Sequence, residues 1–228
     1  MKINRVDLEH CGHETDMVVV IDVLRAFTTA AIAFSRGAKD IILAGSVENL
    51  FQLAKNFPQA LTIGEVNGIP IEGVNFGNSP SIIEKADLEN RTIIQRTTAG
   101  TQGILRSTNA RIILATSLCC GWATARWIER ESPDSLTLVE TGVLDGGWGD
   151  EDKACADYVE ALIRGETIDH HDLIRRVVGS RSGSFYSSVH DDVFPRQDLA
   201  IATDIDRFNF TMKVFQIGDN YCLRPLWE

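Results

Sequence analysis

Side chains that could do chemistry follow the predicted strands of this sequence at four places. At the first, Asp22 and Arg25 stand between a run of β-branched residues and an Ala-rich stretch. A lone carboxylate next to a buried strand is costly, so Asp22 must be paired, hydrogen-bonded or metal-bound. Arg25 could be its salt-bridge partner, or it could hold a phosphate or a carboxylate of a ligand.

The second place begins at Glu65 and continues through several glycines to Asn78, Ser79 and Pro80. Proline is typical of the first position of a helix, and Asn78 or Ser79 could cap that helix. The same helix N-terminus could instead bind an anion through its free N–H groups. Glu65 is either a turn residue or an active-site carboxylate.

The third place is the segment 96–101, which reads Arg-Thr-Thr-Ala-Gly-Thr. Hydroxyl groups and backbone N–H groups in a glycine turn are typical of a nest that binds oxyanions. The segment is not a P-loop, because the Gly-Lys-Ser/Thr ending is absent. We predict that this turn binds an anion and that Arg96 holds an anionic group of the ligand.

The fourth place is a glycine-rich segment before a predicted helix, with acids at Asp145, Asp150, Glu151 and Asp152. These acids can cap the helix, or they can supply oxygen ligands to a hard cation such as Mg²⁺. Open α/β sheets bind their ligands at the carboxyl ends of the strands. The four places together therefore indicate carboxylates and anion-binding turns around one cleft.

Strands and helices alternate along the first 165 residues. The predicted strands cover 17–23, 41–44, 61–63, 92–95, 111–115 and 136–140. The predicted helices cover 26–34, 47–56, a segment opened by Ser79 and Pro80, 100–107, 120–130 and 151–164. This order predicts an α/β fold whose parallel or mostly parallel sheet is covered by helices on both faces.

The remaining residues, 166–228, have a different pattern. They predict helices over 170–178 and 191–203, then a hairpin formed by 213–217 and 221–226. We predict an α/β core over 1–165 that carries the cleft, with 166–228 packed on the same domain. A shift of 71 residues also superimposes Arg25 on Arg96 within two strand–helix–strand units, and coincidence explains this weak repeat as well as duplication does.

The composition limits the partners. The 228 residues include 32 acidic and 22 basic side chains, so the net charge of −10 argues against nucleic acid. Sixteen of the 22 basic residues are Arg, which suits small anions. No apolar run approaches the roughly 20 residues that cross a bilayer, and the polar N-terminus does not fit a secretory signal. We expect a cytoplasmic protein without a membrane partner, whose five cysteines are reduced structural thiols.

The motifs resemble those of the 2-phosphosulfolactate phosphatase family, in order and spacing, from about residue 5 to about residue 165. The matching segments are 19–29 (V-V-I-D-V-L-R-A-F-T-T), Gly64-Glu65, Gly73 with Gly77-Asn78-Ser79-Pro80, Thr97-Thr98 with Gly100-Thr101, and Glu151-Asp152. The resemblance implies a three-layer α/β/α fold with a mostly parallel or mixed sheet. It also implies a Mg²⁺-dependent phosphatase that acts on phosphate esters of small 2-hydroxycarboxylic acids, with 2-phosphosulfolactate of coenzyme M biosynthesis as the named substrate.

The cleft motifs and the resemblance together give the candidate site residues. The candidate catalytic residues are Asp22, Arg25, Glu65 and Arg96. The candidate metal ligands are Asp22, Glu65, Glu151 and Asp152. The candidate substrate-binding residues are Thr28, Thr29, Asn78, Ser79, Thr97, Thr98, Gly100 and Thr101. Either a water or Asp22 could be the nucleophile.

Three positions depart from the family pattern: Ala99 replaces Asn, Asn75 replaces Asp, and Glu140 begins a segment that replaces Cys-Ala-Gly. These departures leave two alternatives open, a non-catalytic homologue that binds anions and a phosphatase with another anionic substrate. The expected partner is a small phosphorylated hydroxy acid. A homodimer is possible, because most soluble oligomers are symmetric homo-oligomers.

Overall fold

A computed structural model describes residues 1–142, 149–187 and 192–228. The strands of these residues are β1 (Lys2–Asp7), β2 (Met17–Ile21), β3 (Asp40–Leu43), β4 (Leu61–Val66), β5 (Ile69–Pro70), β6 (Thr92–Arg96), β7 (Ile112–Thr116), β8 (Ser135–Glu140), β9 (Phe210–Ile217) and β10 (Asn220–Trp227). The helices are α1 (Ala26–Ser35), α2 (Val47–Asn56), α3 (Pro80–Ile83), α4 (Gly100–Arg106), α5 (Gly121–Glu131), α6 (Asp150–Arg164), α7 (His170–Gly179), α8 (Arg181–Ser184) and α9 (Arg196–Ala202). Short 3-10 turns cover Leu118–Cys120 and Phe185–Ser187.

All ten strands belong to one mixed sheet with the order β1-β8-β2-β7-β9-β10-β3-β6-β4-β5. Two groups of parallel strands, β1-β8-β2-β7 and β3-β6-β4, lie on either side of the hairpin β9–β10. The hairpin runs antiparallel to both neighbours, β7 and β3. The predicted α/β fold with a mixed sheet and a terminal hairpin is confirmed, and the hairpin occupies the centre of the sheet.

The two parallel groups run in opposite directions, because three successive antiparallel pairings separate them. β2 and β6 are five steps apart in the sheet. A twist of roughly 20–25° per step adds up to roughly 100–125°, which turns the carboxyl ends of the two groups toward each other. They meet at Gly100, where an added Cβ would lie 2.8 Å from the Asp22 Oδ2 atom.

Helices cover both faces of the sheet. Residues 26–34 of α1 are all buried, and they pack with Val18, Ile41, Ile63 and other residues on one face of the sheet. The opposite face is covered by α5, α6 and α7 over the first group and by α2 over the second. A helix that is apolar on all sides must be enclosed, and the curled sheet together with α3 and α4 encloses α1.

Most predicted elements agree with the structure to within one or two residues at each end. Ser46 caps α2, since its hydroxyl accepts a hydrogen bond of 3.1 Å from the backbone N–H of Asn49. Pro80 stands at the start of α3 as predicted. The helix predicted over 191–203 is shorter, because Pro195 precedes its first turn at Arg196. Residue 191 lies outside the described residues. The sequence pattern missed β1 and β5, two edge strands with part-exposed or exposed side chains.

Two strand–helix–strand units cross between the parallel groups. β2 passes through α1 to β3 in the second group, and β6 passes through α4 to β7 in the first. These are the two units of the weak repeat, and each begins in the group of parallel strands in which the other ends. The five cysteines are buried and free, as predicted. Within the described residues, no helix is long and apolar enough to cross a membrane.

Candidate active site

A cavity of about 540 Å³ lies where the ends of β2, β4 and β6 meet the segment around α8. Its volume is within the range of small-molecule sites, roughly 300–1,000 Å³. The residues that line it are Asp22, Leu24, Arg25, Glu65, Asn67, Gly68, Ile69, Asn78, Thr98, Ala99, Ser182, Phe185, Tyr186 and Phe194. Three of the four candidate catalytic residues therefore line one cavity.

Asp22 lines this cavity directly after β2, and its side chain is buried. Its Oδ1 atom accepts a hydrogen bond of 2.8 Å from the backbone N–H of Ala26. Burial is the main reason why the pKa of Asp22 is raised to about 7; the charges of Glu65 and Glu151 act in the same direction, and N–H groups of Ala26 and Gly100 oppose them. Asp22 is thus a carboxyl group that titrates near neutral pH.

Glu65 lies near the end of β4 and is held by the third predicted segment. Its Oε1 atom accepts a hydrogen bond of 2.5 Å from the backbone N–H of Thr98. Its Oε2 atom accepts from the Thr98 hydroxyl at 3.0 Å and from the N–H of Gly68 at 2.6 Å. Because Gly100 likewise donates to Asp22, the nest predicted for a bound anion holds two carboxylates of the protein itself.

Glu151 and Asp152 open α6. The Oδ1 atom of Asp152 accepts from the N–H of Val23 at 2.8 Å, and Oδ2 accepts from the N–H of Gly142 at 2.7 Å. Burial, followed by the charges of neighbouring carboxylates, raises the pKa of Asp152 well above its usual value. The Oε1 atom of Glu151 accepts from the Ser182 hydroxyl at 2.5 Å, whereas its Oε2 atom is buried without a partner.

We call Asp22, Glu65, Glu151 and Asp152 the acid cluster. All four are buried, and none forms an ion pair with any part of the chain that the structure describes. A Cβ added to Gly142 would lie 3.0 Å from Asp152 Oδ2 and 3.2 Å from Glu151 Oε1, so these two carboxylates are close neighbours. The cluster is therefore a concentration of negative charge beside the cavity.

The donor atoms of the cluster suit a hard cation. The unpartnered Glu151 Oε2 atom is an oxygen, and so is the unpartnered Oδ1 atom of Asn78, which lines the cavity. In the described residues no group of three or more His, Cys, Asp or Glu side chains is spaced to hold one ion directly. Mg²⁺ is usually held by one or two carboxylates together with waters and phosphate oxygens. The carboxylates of the acid cluster are consistent with a site of this kind.

Arg25 pairs with Asp198 in α9 rather than with Asp22. Its Nη1 atom donates to Asp198 Oδ2 at 3.0 Å and to the carbonyl oxygen of Val193 at 2.8 Å. Its Nη2 atom donates to the carbonyl oxygen of Gly68 at 2.9 Å. The guanidinium also lies over the Phe194 ring, 4.9 Å from its centroid. These contacts fix Arg25 at the wall of the cavity.

Asp198 is fully buried and has partners for both carboxylate oxygens. Besides the bond to Arg25, its Oδ1 atom accepts from the Ser79 hydroxyl at 2.8 Å. The same atom accepts from the hydroxyl of Ser81 at 2.6 Å and from its N–H at 2.9 Å. Ser79 is predicted to bind substrate or to cap a helix; its side chain does not cap α3, and it joins α3 to α9 through Asp198.

Four other predicted substrate-binding residues are not among the lining residues of the cavity. Thr28 donates to the carbonyl oxygen of Val23 at 2.7 Å, and the Thr29 hydroxyl is buried without a partner. Thr97 and Thr101 hydrogen-bond to each other at the start of α4. Of the predicted substrate-binding residues, Asn78 and Thr98 line the cavity. Arg96 lies off it and donates to the backbone carbonyl of Glu65 at 2.5 Å.

One of the three departures from the family pattern lies in the cavity. Ala99 lines it. Asn75 accepts hydrogen bonds from the backbone and hydroxyl of Thr62, at 2.8 and 2.9 Å, away from the cavity. Glu140 forms an ion pair of 3.4 Å with Arg5. The acid predicted at Asp145 lies outside the described residues.

The predicted site residues do not include Asp198, Ser182 or the aromatic residues of the cavity, which are Phe185, Tyr186 and Phe194. They belong to the segment that follows α7, where the sequence shows polar helices and no strand end. Asp198 follows two polar residues, Arg196 and Gln197, so the sequence does not mark it as buried. No pattern around Ser182 distinguishes it from the other serines of that segment.

The fold and the site define a three-layer α/β/α protein with a small-ligand cavity at the strand ends, beside buried carboxylates. A model of the 2-phosphosulpholactate phosphatase family matches residues 4–191. The chain belongs to this family, whose members are phosphatases by name. Asp198 and Phe194 lie beyond the matched residues.

Three relatives agree with this assignment, two of them over most of both chains. A protein of Bacillus subtilis strain 168 is 30% identical over 211 residues, which cover 92% of each chain. A protein of Deinococcus radiodurans is 30% identical over 89% of this chain and 86% of its own. A protein of Carboxydothermus hydrogenoformans is 37% identical over 66% of this chain and 61% of its own. All three carry the name "Probable 2-phosphosulfolactate phosphatase".

Proposed function

We propose that this protein is a Mg²⁺-dependent phosphatase that hydrolyses the phosphate monoester of a small 2-hydroxycarboxylic acid. 2-Phosphosulfolactate, named in the relatives, defines this substrate class. One observation carries the proposal: of four buried carboxylates, Asp22 and Glu65 line a ligand-sized cavity, and none of the four forms an ion pair within the described chain. Such a cluster repels an anionic substrate unless a cation compensates it.

Asp22 and Glu151 are the residues that would hold the cation. Asp22 lines the cavity, and the free Oε2 atom of Glu151 lacks a partner. Ser182 fixes the other carboxylate oxygen of Glu151, which orients the group. When bound, Mg²⁺ polarises phosphoryl oxygens and lowers the pKa of a bound water. Because Asp22 titrates near pH 7, cation binding there competes with a proton.

Glu65 is placed to accept the proton of the attacking water. Its carboxylate lines the cavity, and three hydrogen bonds from Gly68 and Thr98 fix its orientation. A base held in this way is already oriented, so the reaction does not have to overcome the loss of its conformational entropy. Arg96 holds the backbone carbonyl of Glu65 and so acts as a positioning residue.

Arg25 and Asn78 would bind the anionic ends of the substrate. Both line the cavity, and both are buried. Asp198 and the carbonyl oxygen of Gly68 hold the guanidinium of Arg25 in place before substrate arrives. A preorganised guanidinium stabilises charge on a transferring phosphoryl group without reorganisation.

Asp152, whose oxygens accept hydrogen bonds from backbone N–H groups, joins the loops that carry Asp22 and Gly142.

The direct test measures phosphate release from 2-phospholactate and 2-phosphosulfolactate with Mg²⁺ and with a chelator. We expect turnover with Mg²⁺ and its loss with the chelator. Equal turnover under both conditions would remove the cation from the proposal. Binding of the esters without any phosphate release would favour the alternative of a non-catalytic homologue.

The structure weakens the reason for that alternative. It rested on two groups lost from the cleft, at Asn75 and Ala99. Asn75 lies against Thr62, outside the cavity, and Asp22 and Glu65 are both in place. Of these two positions Ala99 alone is among the described lining residues, so the alternative now depends on that position.

A further inference from the structure

Part of the cavity lining is apolar. Leu24, Ile69, Phe185, Tyr186 and Phe194 form this part, which we call the apolar wall. Phe185 stacks on Phe194 with 5.3 Å between ring centroids, and Tyr186 meets Phe194 edge-on at 5.7 Å. Ring pairs of this kind present a stiff surface with little conformational freedom to lose on binding.

Two side chains of the apolar wall are in contact with water in the free protein. Phe185 is 40% exposed and Ile69 is 53% exposed, although both line the cavity. Gly68, beside Ile69, packs against the Phe194 ring, where an added Cβ would lie 2.9 Å from the ring edge. A ligand that covered Phe185 and Ile69 would bury apolar surface, which is favourable in water.

The charged groups of the cavity do not match a substrate with three anionic groups. Among the described lining residues the cationic side chain is Arg25, and Asp198 already neutralises part of its charge. A phosphate and a carboxylate can use the bound cation, Arg25 and Asn78. The Thr98 and Ser182 hydroxyls already donate to carboxylates of the acid cluster. A sulfonate on the same molecule would then meet Asn67 and the apolar wall, where its charge loses hydration and no described lining side chain supplies a cation. The methyl group of Ala99 adds no polar partner.

We propose that the substrate carries an apolar group, an aromatic ring or a branched alkyl chain, in place of the sulfonate, and that the apolar wall binds it. The substrate class is then the 2-phosphate of a 2-hydroxy acid with an apolar side chain. This inference rests on the proposed function, because it concerns the substrate of the same site. Phe185, Phe194 and Ile69 are the residues that determine specificity.

The first test compares four synthetic esters at one pH and one Mg²⁺ concentration. They are the 2-phosphates of lactate, of 2-hydroxy-4-methylpentanoate, of 3-phenyllactate and of sulfolactate. We expect kcat/KM for the phenyl ester to exceed that for the sulfonate ester at least about tenfold, since apolar pockets discriminate by roughly 10–200-fold. A sulfonate ester that matches or exceeds the phenyl ester overturns the inference and leaves the phosphatase intact.

Binding separates the two possible failures. The dissociation constants of 3-phenyllactate and of sulfolactate are measured by calorimetry with Mg²⁺ present. If none of the four esters releases phosphate but phenyllactate binds at least about tenfold more tightly, the proposed function fails and the inference about the apolar wall holds. If sulfolactate binds as tightly or more tightly, the inference fails whatever the turnover.

Variants locate the effect. Phe185→Ala should lower the ratio of kcat/KM for the phenyl ester to that for the lactate ester by about tenfold. Phe57→Ala, at a phenylalanine that is 39% exposed and does not line the cavity, is the matched control and should leave the ratio unchanged. Ile69→Arg supplies a cation to the exposed part of the wall and should shift the preference toward the sulfonate ester. Unchanged ratios in both cavity variants contradict the inference.

Discussion

Two sets of buried carboxylates near the cavity, Asp198 and the acid cluster, differ in what balances their charge. Asp198 has a cation, Arg25, on one oxygen and three hydrogen bonds from Ser79 and Ser81 on the other. The acid cluster accepts hydrogen bonds from backbone N–H groups and hydroxyls alone. Arg25 and two members of the cluster line the same cavity. The charge of the first site is balanced within the chain, whereas no cationic side chain of the described residues pairs with the second.

This difference separates a carboxylate whose charge is balanced by a side chain of the fold from carboxylates whose charge is not. Removing either partner of a buried ion pair leaves an uncompensated charge, so the pair of Arg25 and Asp198 is a fixed part of the fold. Buried carboxylates without a counter-charge destabilise the protein, and their raised pKa values at Asp22 and Asp152 express that cost. Clusters of perturbed carboxyl groups at a cavity are typical of active sites.

Substitution in the acid cluster should have the largest effect on activity. We expect Asp22→Asn to lower kcat by about 10²–10⁴-fold, the range for a group that takes part in proton transfer or charge stabilisation. Glu140→Gln is the matched control, since Glu140 is also a buried acid at a strand end but pairs with Arg5 outside the cavity. Steady-state phosphate release is the measurement. An equal loss of kcat in both variants would show that the acid cluster is no more important for activity than another buried acid.

Substitution at the paired site should instead affect stability. Asp198→Asn leaves the buried Arg25 without its counter-charge, and we expect a loss of about 3–5 kcal/mol in the free energy of unfolding. Urea denaturation measures this change, with the exposed Asp219→Asn as the control. A loss below about 1 kcal/mol would mean that the pair of Arg25 and Asp198 does not hold α9 in place.

The same kind of change at Asp22 should have the opposite sign in the metal-free protein. The pKa of Asp22 is about 7 in the folded protein, above the value of 3.8 for the unfolded chain. Ionisation of this group therefore favours the unfolded state progressively between about pH 4 and pH 7. Asp22→Asn should gain stability relative to wild type over that range, reaching about 2–4 kcal/mol at pH 8.

Urea denaturation of both proteins with chelator present, at several pH values from 4 to 8, measures this gain. We expect a difference that grows with pH and levels off above about pH 7. Adding Mg²⁺ should shrink the difference, because the cation stabilises the ionised carboxylate of wild type alone. A variant that is less stable than wild type at pH 8 contradicts the account of Asp22.

The smallest effect is expected where the acid cluster meets α8. Ser182→Ala removes the hydrogen bond that orients Glu151, and we expect about a tenfold loss in Mg²⁺ affinity, typical of groups that orient a metal ligand. Ser184→Ala, at an exposed position in the same helix, is the control. Calorimetric titration distinguishes the two variants. Identical affinities would show that Glu151 does not take part in holding the cation.

Local patterns were enough to select the members of the acid cluster, because two stand at strand ends and two at the start of a helix that follows a strand. Asp22 follows a β-branched strand, and Glu65 lies near the end of a strand before a glycine turn. Strand ends of an α/β fold converge, so residue type and position suffice to place such groups near one another. The predicted elements agree with the structure for the same reason, since the periodic pattern of apolar residues is local.

The paired site and the apolar wall could not be predicted in this way. Asp198 contacts Arg25, and Phe194 lines the cavity, from a segment about 170 residues after Arg25 and Asp22, and only tertiary packing determines these contacts. The sequence also gives no sign that the hairpin β9–β10 stands in the centre of the sheet and reverses the second group of strands. The twist that brings the two groups together is a property of the whole sheet.

We propose that the acid cluster needs a cation and that the Asp198 site does not. Titration of the metal-free protein with Mg²⁺ at pH 7.5, followed by calorimetry and by the melting temperature, tests it most directly. We expect saturable binding and a rising melting temperature in wild type and in Glu140→Gln, and loss of both in Asp22→Asn. Failure of wild type to bind Mg²⁺, or equal binding by Asp22→Asn, would contradict the claim.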